Sequence, residues 1–194
     1  MTESAMVIRK AKAADARILA VILNKSWRSA YQGLIPAAEL RRHTTLWRRY
    51  RKMSQLLKRA DMQIYLAIQD RRPCGMLMLG PSRDADIADY GEIIAFYFIP
   101  EYWGRGLAGD LMTFARQALL SQGYGHILLW VLEGNARARR FYEKQGFVAD
   151  GKTRVEQFGN QPLTLRYRLH LAEYETRQSE QGRGVPQAEI IDKR

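Results

Sequence analysis

Between Ile93 and Leu119 the chain reads IIAFYFIPEYWGRGLAGDLMTFARQAL, and no other stretch limits the fold as much. Ile93 to Ile99 is a nearly continuous apolar, β-rich run, whereas Leu107, Leu111, Phe114, Ala115, Ala118 and Leu119 recur at helical spacing. The period changes within the turn Trp103 to Gly109, so a strand feeds an amphipathic helix through a glycine-rich bend. The first N–H groups of a helix have no intrahelical partner and the dipole there is positive, which suits an anion such as a pyrophosphate. Gly104, Gly106 and Gly109 let a ligand approach the backbone where a Cβ would obstruct it. By itself the segment reads equally well as an ordinary strand-to-helix turn.

A second unit follows about thirty residues on. Another apolar strand, His126 to Leu132, leads into NARARRFYEKQGF, where Asn135, Ala138 and Tyr142 share one helical face and Gly146 closes the helix. Together the two units resemble the GNAT superfamily of acyl-CoA-dependent N-acetyltransferases. Trp103-Gly104-Arg105-Gly106-Leu107-Ala108 is similar to that family's pyrophosphate loop, [Q/R]-x-x-G-x-[G/A], with Trp103 replacing the usual Gln or Arg donor. Asn135, Ala138, Tyr142, Gly146 and Phe147 match the family's N-x-x-A-x-x-x-Y-x-x-x-G-F signature in register.

The resemblance implies an α/β fold with a mixed, mostly antiparallel sheet of six to seven strands and helices on both faces. A central parallel pair of strands splays apart to admit the pantetheine arm of acetyl-CoA. It implies coenzyme contacts from the backbones of Phe96, Tyr97 and Phe98, the loop Gly104, Arg105, Gly106, Leu107, Ala108 and Gly109, and the side chains of Asn135 and Tyr142. The matching tyrosine of the family protonates the departing thiolate, which makes Tyr142 the expected general acid; an aromatic pair with Phe141 covering the core is the competing reading.

An alkyl ammonium is neutral in only about one molecule in 10³ to 10⁴ at pH 7, so the acceptor amine needs a route to a base. Some family members carry a glutamate five residues before the signature asparagine; Trp130 stands there and cannot accept a proton. Glu92, opening the strand that would bind the acyl arm, is the next candidate, through water, and Glu133 follows. The acceptor side falls to SWRSAYQGLIP, where Trp27 and Tyr31 lie one helical turn apart and serve equally well as an acceptor wall or as aromatic packing.

At 194 residues the chain suits one core, read as a domain over 1–175 followed by a polar tail over 176–194. No run of eighteen apolar residues and no hydrophobic leader is found, and Cys74 has no partner for an internal disulfide, so the expected location is cytoplasmic, with no membrane partner. Three scattered histidines give no ligand spacing and hence no expected metal. The net charge of +11 is concentrated between Arg41 and Arg59, in helical material that also carries Leu46, Trp47, Tyr50 and Met53. That pattern fits helices with solvated basic faces better than a nucleic-acid stripe. The expected activity is therefore acetyl transfer from acetyl-CoA directly to a primary amine of a small molecule or protein. A non-catalytic acyl-CoA sensor and, behind it, a nucleic-acid binder are the alternatives; a homodimer is compatible with the sequence.

Overall fold

The computed structural model describes residues 5–172 and Tyr174; the expected tail over 176–194 lies outside them. Seven strands form one sheet: β1 (Val7–Lys10), β2 (Gln63–Gln69), β3 (Arg72–Pro81), β4 (Gly91–Phe98), β5 (His126–Leu132), β6 (Val148–Val155) and β7 (Leu163–His170). Their spatial order is β1-β2-β3-β4-β5-β7-β6. Every neighbouring pair is antiparallel except β4 and β5. The helices are α1 (Ala16–Ala30), α2 (Ala37–His43), α3 (Leu46–Leu56), α4 (Leu107–Leu120) and α5 (Ala136–Lys144).

Alternation along β3 shows how the two faces are filled. Met76 and Met78 pack with Leu19, Ile22 and Leu23 of α1 and Met53 of α3. Leu77 and Leu79 pack with Leu111, Phe114 and Ala115 of α4. A strand whose residues are buried on both sides reads as continuous apolar sequence, which is why MLML carries no polar alternation.

Three boundaries depart from what local pattern marks. The β3 strand runs beyond its apolar stretch Cys74 to Leu79, from Arg72 to Pro81, with Pro73 opposite the irregularity at Ala67 and Ile68, where a missing donor is tolerated. The β6 strand continues past Ala149 to Val155 through a register shift that contains Gly151 at φ 84°. Asp15 precedes α1 without capping it; its carboxylate accepts from the Lys12 N–H at 2.7 Å and pairs with Arg9.

The decisive feature lies at the centre of the sheet. β4 and β5 pair only through Gly91–Ile127, Glu92–Leu128 and Ile93–Leu129. Beyond Ile93 the two strands part, while β5 stays paired with β7 along its whole length. Ile94, Ala95, Phe96 and Tyr97, in the middle of a seven-stranded sheet, are consequently only half-buried. A bulge in the β3–β4 ladder coincides with the opening, since Met78 faces Ala95 whereas Leu79 faces Ile93.

Candidate active site

The bulge decides which side chains of β4 face which layer. Ile93, Phe96 and Phe98 join the core on the α4 side, and Ile94, Ala95, Tyr97 and Ile99 join the α1 side. An unbroken period of two would have put Phe96 with Ile94; the extra residue re-aims Tyr97 instead. The Tyr97 hydroxyl lies 3.3 Å from that of Tyr31.

Two cavities meet along this strand. The smaller occupies the gap between β4 and β5, lined by Phe96, Tyr97, Phe98, Trp103, Asn135 and Tyr142. The larger, about 470 Å³, lies on the α1–α3 side and includes Trp27, Tyr31, Glu92, Trp130 and Phe158 in its wall. Tyr31, Ile94, Tyr97 and Trp130 line both, so they mark the junction.

Tyr142 sits on α5 with its ring against Phe96, Phe141 and Phe147 at centroid distances of 6.4, 5.4 and 6.0 Å. Burial pushes its phenol well above the ordinary value, and the neighbouring Tyr97 adds to the shift. Tyr31 is raised in the same direction, first by burial and then by Tyr97. Both therefore carry their protons at neutral pH, as a hydrogen-bond donor or general acid requires. Asn135 caps α5, its side-chain oxygen accepting from the Ala138 N–H at 3.2 Å.

The turn before α4 has the backbone that its glycines imply. Gly104 and Gly106 adopt φ of 76° and 81°, the left-handed region that glycine occupies at no steric cost. A Cβ added at Gly106 or Gly109 would meet nothing within 4 Å, so the approach to the helix start is open. Of the amides expected to hold phosphate, that of Gly109 is already committed to the Gly106 carbonyl at 2.8 Å. Those of Leu107 and Ala108, earlier in the first turn, point out of the helix. Arg105 lies over the Tyr102 ring at 5.0 Å. This loop lines neither cavity apart from Trp103.

Trp103 has a role the sequence did not disclose. Its indole donates to the Phe98 carbonyl at 2.8 Å, and the Ser26 hydroxyl donates to the same oxygen at 2.9 Å. Of the three β4 backbones expected to pair with the pantetheine arm, Phe98 thus has its carbonyl occupied. The Trp103 ring also carries the guanidinium of Arg137, 3.3 Å from its centroid. Arg137 lines the gap, so a cation from α5 stands beside the position where the motif lacks its Gln or Arg. The signal lay in Arg137 within the second motif, but its meaning depends on a contact between residues 34 positions apart.

Glu92 is not the solvated carboxylate that a strand end suggests. Its side chain is 1% exposed and paired with Arg83. The Arg83 backbone N–H and Nε donate to Oε2 at 3.1 and 2.9 Å. Burial of a lone carboxylate would be costly, and Arg83 supplies the compensating charge and hydrogen bonds. Trp130, standing in the glutamate's place, donates from Nε1 to Asp84 at 3.0 Å. On α1, Trp27 and Tyr31 meet edge to face at 4.9 Å, so the expected pair does form one wall. The Trp27 Nε1 is occluded and has no hydrogen-bond partner among the described residues.

Among the described residues no group of three or more His, Cys, Asp or Glu could hold a metal ion. Cys74 is buried, and burial pushes its thiol up to about 11, which leaves it a poor nucleophile. No helix among these residues is long and apolar enough to cross a membrane.

A parallel strand pair that opens beside a glycine-rich helix start, with a buried tyrosine facing the gap, is the arrangement that the resemblance to acyl-CoA-dependent acyltransferases leads one to expect. Comparison with known proteins gives the family: the profile of the Acetyltransferase (GNAT) family matches residues 22–147, and the chain belongs to it. A probable N-acetyltransferase of Mycobacterium tuberculosis is 32% identical over 157 residues, covering 79% of this chain and 86% of that protein. The PaiA N-acetyltransferase from Thermoplasma acidophilum, solved with coenzyme A, superposes with a TM-score of 0.63 at 20% identity, over 84% of this chain and 98% of that one. A spermidine N-acetyltransferase from Vibrio cholerae gives 0.67 at 18% identity, over 89% and 98%. The protein is an acetyl-CoA-dependent N-acetyltransferase with a seven-stranded GNAT fold.

Proposed function

We propose that the gap between β4 and β5 receives the acyl-pantetheine arm and that the 470 Å³ cavity receives the acceptor amine. The observation carrying this reading is that β4–β5 pairing stops at Ile93–Leu129, next to side chains shared by both cavities. The separated strand leaves the β5-facing backbone groups of Phe96 for the pantetheine amides to satisfy, whereas Tyr97, expected to share that role, turns its carbonyl toward Gly75 of β3. Gly104 to Ala108, Arg105 and the Trp103-stacked Arg137 hold the pyrophosphate end. Asn135 caps α5 and borders the arm.

In the reaction the neutral amine attacks the thioester carbonyl, the C–S bond breaks, and Tyr142 donates its proton to the departing sulfur. The ammonium proton leaves toward Glu92 through water. Both Glu92 oxygens already face Arg83, so the proton route runs past that ion pair. Trp27 and Tyr31 form the flat wall on which the acceptor rests. The free, buried thiol of Cys74 fits a reducing compartment, and we place the enzyme in the cytoplasm. The amine-acetylating relatives support an amine acceptor for this chain as well. Thiol release from acetyl-CoA across an amine panel tests the reading: coenzyme should be liberated in step with amine acetylation, and binding without amine-dependent turnover would leave only an acyl-CoA sensor.

A further inference from the structure

The charge of the acceptor cavity narrows the acceptor itself. Six cationic side chains line it against two carboxylates, and both carboxylates are already neutralised. Glu92 is held by Arg83, and Glu156 accepts from Arg154 at 3.0 and 3.1 Å and from Thr164 at 3.3 Å. Arg49 and Lys52 of α3, with Arg48, remain without a carboxylate partner among the described residues.

Arg49 is the most informative of them. It is buried to 8% exposure and stacked on Trp27 with its Cζ 4.0 Å from the ring centroid. Its Nε donates to the His43 carbonyl at 2.9 Å, which fixes the guanidinium plane. No described hydrogen bond uses its terminal nitrogens. These nitrogens are not occluded but open into the cavity, where an anion would find a fixed guanidinium with donors to spare. Lys52 reaches solvent, yet packing around its ammonium and the charges of Arg49 and Arg83 lower its pKa, so these cations share one field.

None of the residues of the coenzyme loop lines this cavity, so its cations are not needed for the coenzyme phosphates. A polyamine would bring further positive charge into a wall with no unpaired carboxylate to receive it. We propose that the acceptor is a small molecule carrying a primary amine together with a carboxylate or phosphate, the anion resting on Arg49 and Lys52 while the amine lies toward Tyr31 and Tyr97. This rests on the placement of the acceptor in that cavity.

The test measures binding to the coenzyme A-saturated full-length protein by calorimetry, together with acetyl transfer from acetyl-CoA. Its probes are matched pairs: amino acids and their amides, amino sugars with and without a phosphate, and spermidine. The anionic member of at least one pair should bind about 10- to 100-fold more tightly, as expected for one or two charge-assisted hydrogen bonds, and the preference should shrink with added salt. The carboxylate and phosphate arms separate the two anion sources. Lys52→Gln, a change at a solvent-reaching side chain, should reduce that preference about tenfold, and Arg49→Gln should do the same. Equal or tighter binding of the amides or of spermidine, or no binding by any anionic amine, overturns the proposal. Anion-selective binding without acetylation would uphold the charge assignment and refute the catalytic reading on which it was built.

Discussion

Tyr142→Phe isolates the proposed proton donor because the structure separates its ring from its hydroxyl. The ring packs on Phe96, Phe141 and Phe147 and the residue is 8% exposed, so phenylalanine keeps the apolar contacts. The substitution removes a single oxygen facing the gap that makes no hydrogen bond among the described residues. Stability should therefore change by less than about 0.5 kcal/mol, the range of substitutions that touch no packing or pairing. Proton donation by a placed acid is worth roughly 10²- to 10⁴-fold, and a thiolate is already a fair leaving group, so a loss of about 10- to 10³-fold in kcat is expected, or roughly 1.4 to 4 kcal/mol. The raised phenol also fixes the pH behaviour: the wild type should keep its rate through the neutral range and lose it only above the ordinary tyrosine value, a limb the variant lacks. Single-turnover thiol release at saturating acetyl-CoA and amine measures the step, and the coenzyme thermal shift checks that binding is intact. An unchanged single-turnover rate in the variant would remove Tyr142 from the chemistry.

Gly106 adopts φ 81°, so Gly106→Val should strain the turn and abolish the coenzyme-induced thermal shift; saturation at a hundred times Kd contributes about 2.7 kcal/mol in the wild type, and an undiminished shift would contradict the phosphate assignment. Arg137→Ala should weaken coenzyme binding by roughly 1 to 2 kcal/mol through loss of a cation beside the gap, while Trp103→Phe preserves the stack and loses the bond to Phe98; equal coenzyme affinity in Arg137→Ala would refute that role. Trp27→Ala should raise KM for the amine more than for acetyl-CoA, and Glu92→Gln should depress turnover most below the amine's own pKa; a selective coenzyme defect or an unmoved pH profile would displace the acceptor site or the proton route. Cys74 has its thiol raised from 9.0 to about 11 in the folded protein, so its contribution to stability is intact below pH 9 and is lost as pH rises toward 11; equilibrium unfolding of Cys74→Ala should lack that part of the alkaline decline.

Both the glycine-turn and signature units were readable as structure because each is local: a strand period gives way to a helix period across glycines or an asparagine cap. Parallel pairing of β4 and β5 followed from the helical crossover alone. What escaped the sequence depends on partners far along the chain. The bulge that turns Tyr97 toward Tyr31 arises from the β3–β4 register, not from any residue of β4 that marks a bulge. Glu92 looked like a solvated strand end because Arg83, nine positions earlier, sits in a polar loop with no period. The polar stretch DGKT carries no strand period, yet it lies within β6; at the sheet edge, where six of the eight β6 residues are exposed, polar residues suffice, and Gly151 absorbs the irregularity. The basic run over α2 and α3 was read as a solvated face, and Arg41 and Arg51 fit that description. Arg49 does not, since its spacing places it on the buried side of α3 against Trp27.

Direct transfer in a ternary complex is the central claim, and mass spectrometry with isotopically labelled acetyl-CoA tests it. Mixed with an amine that the enzyme accepts and quenched within one turnover, the label should appear on the amine in proportion to free coenzyme, with the protein mass unchanged throughout. Label carried on the protein before the amine is added, at Cys74 or elsewhere, or coenzyme release with no labelled amine, would contradict it.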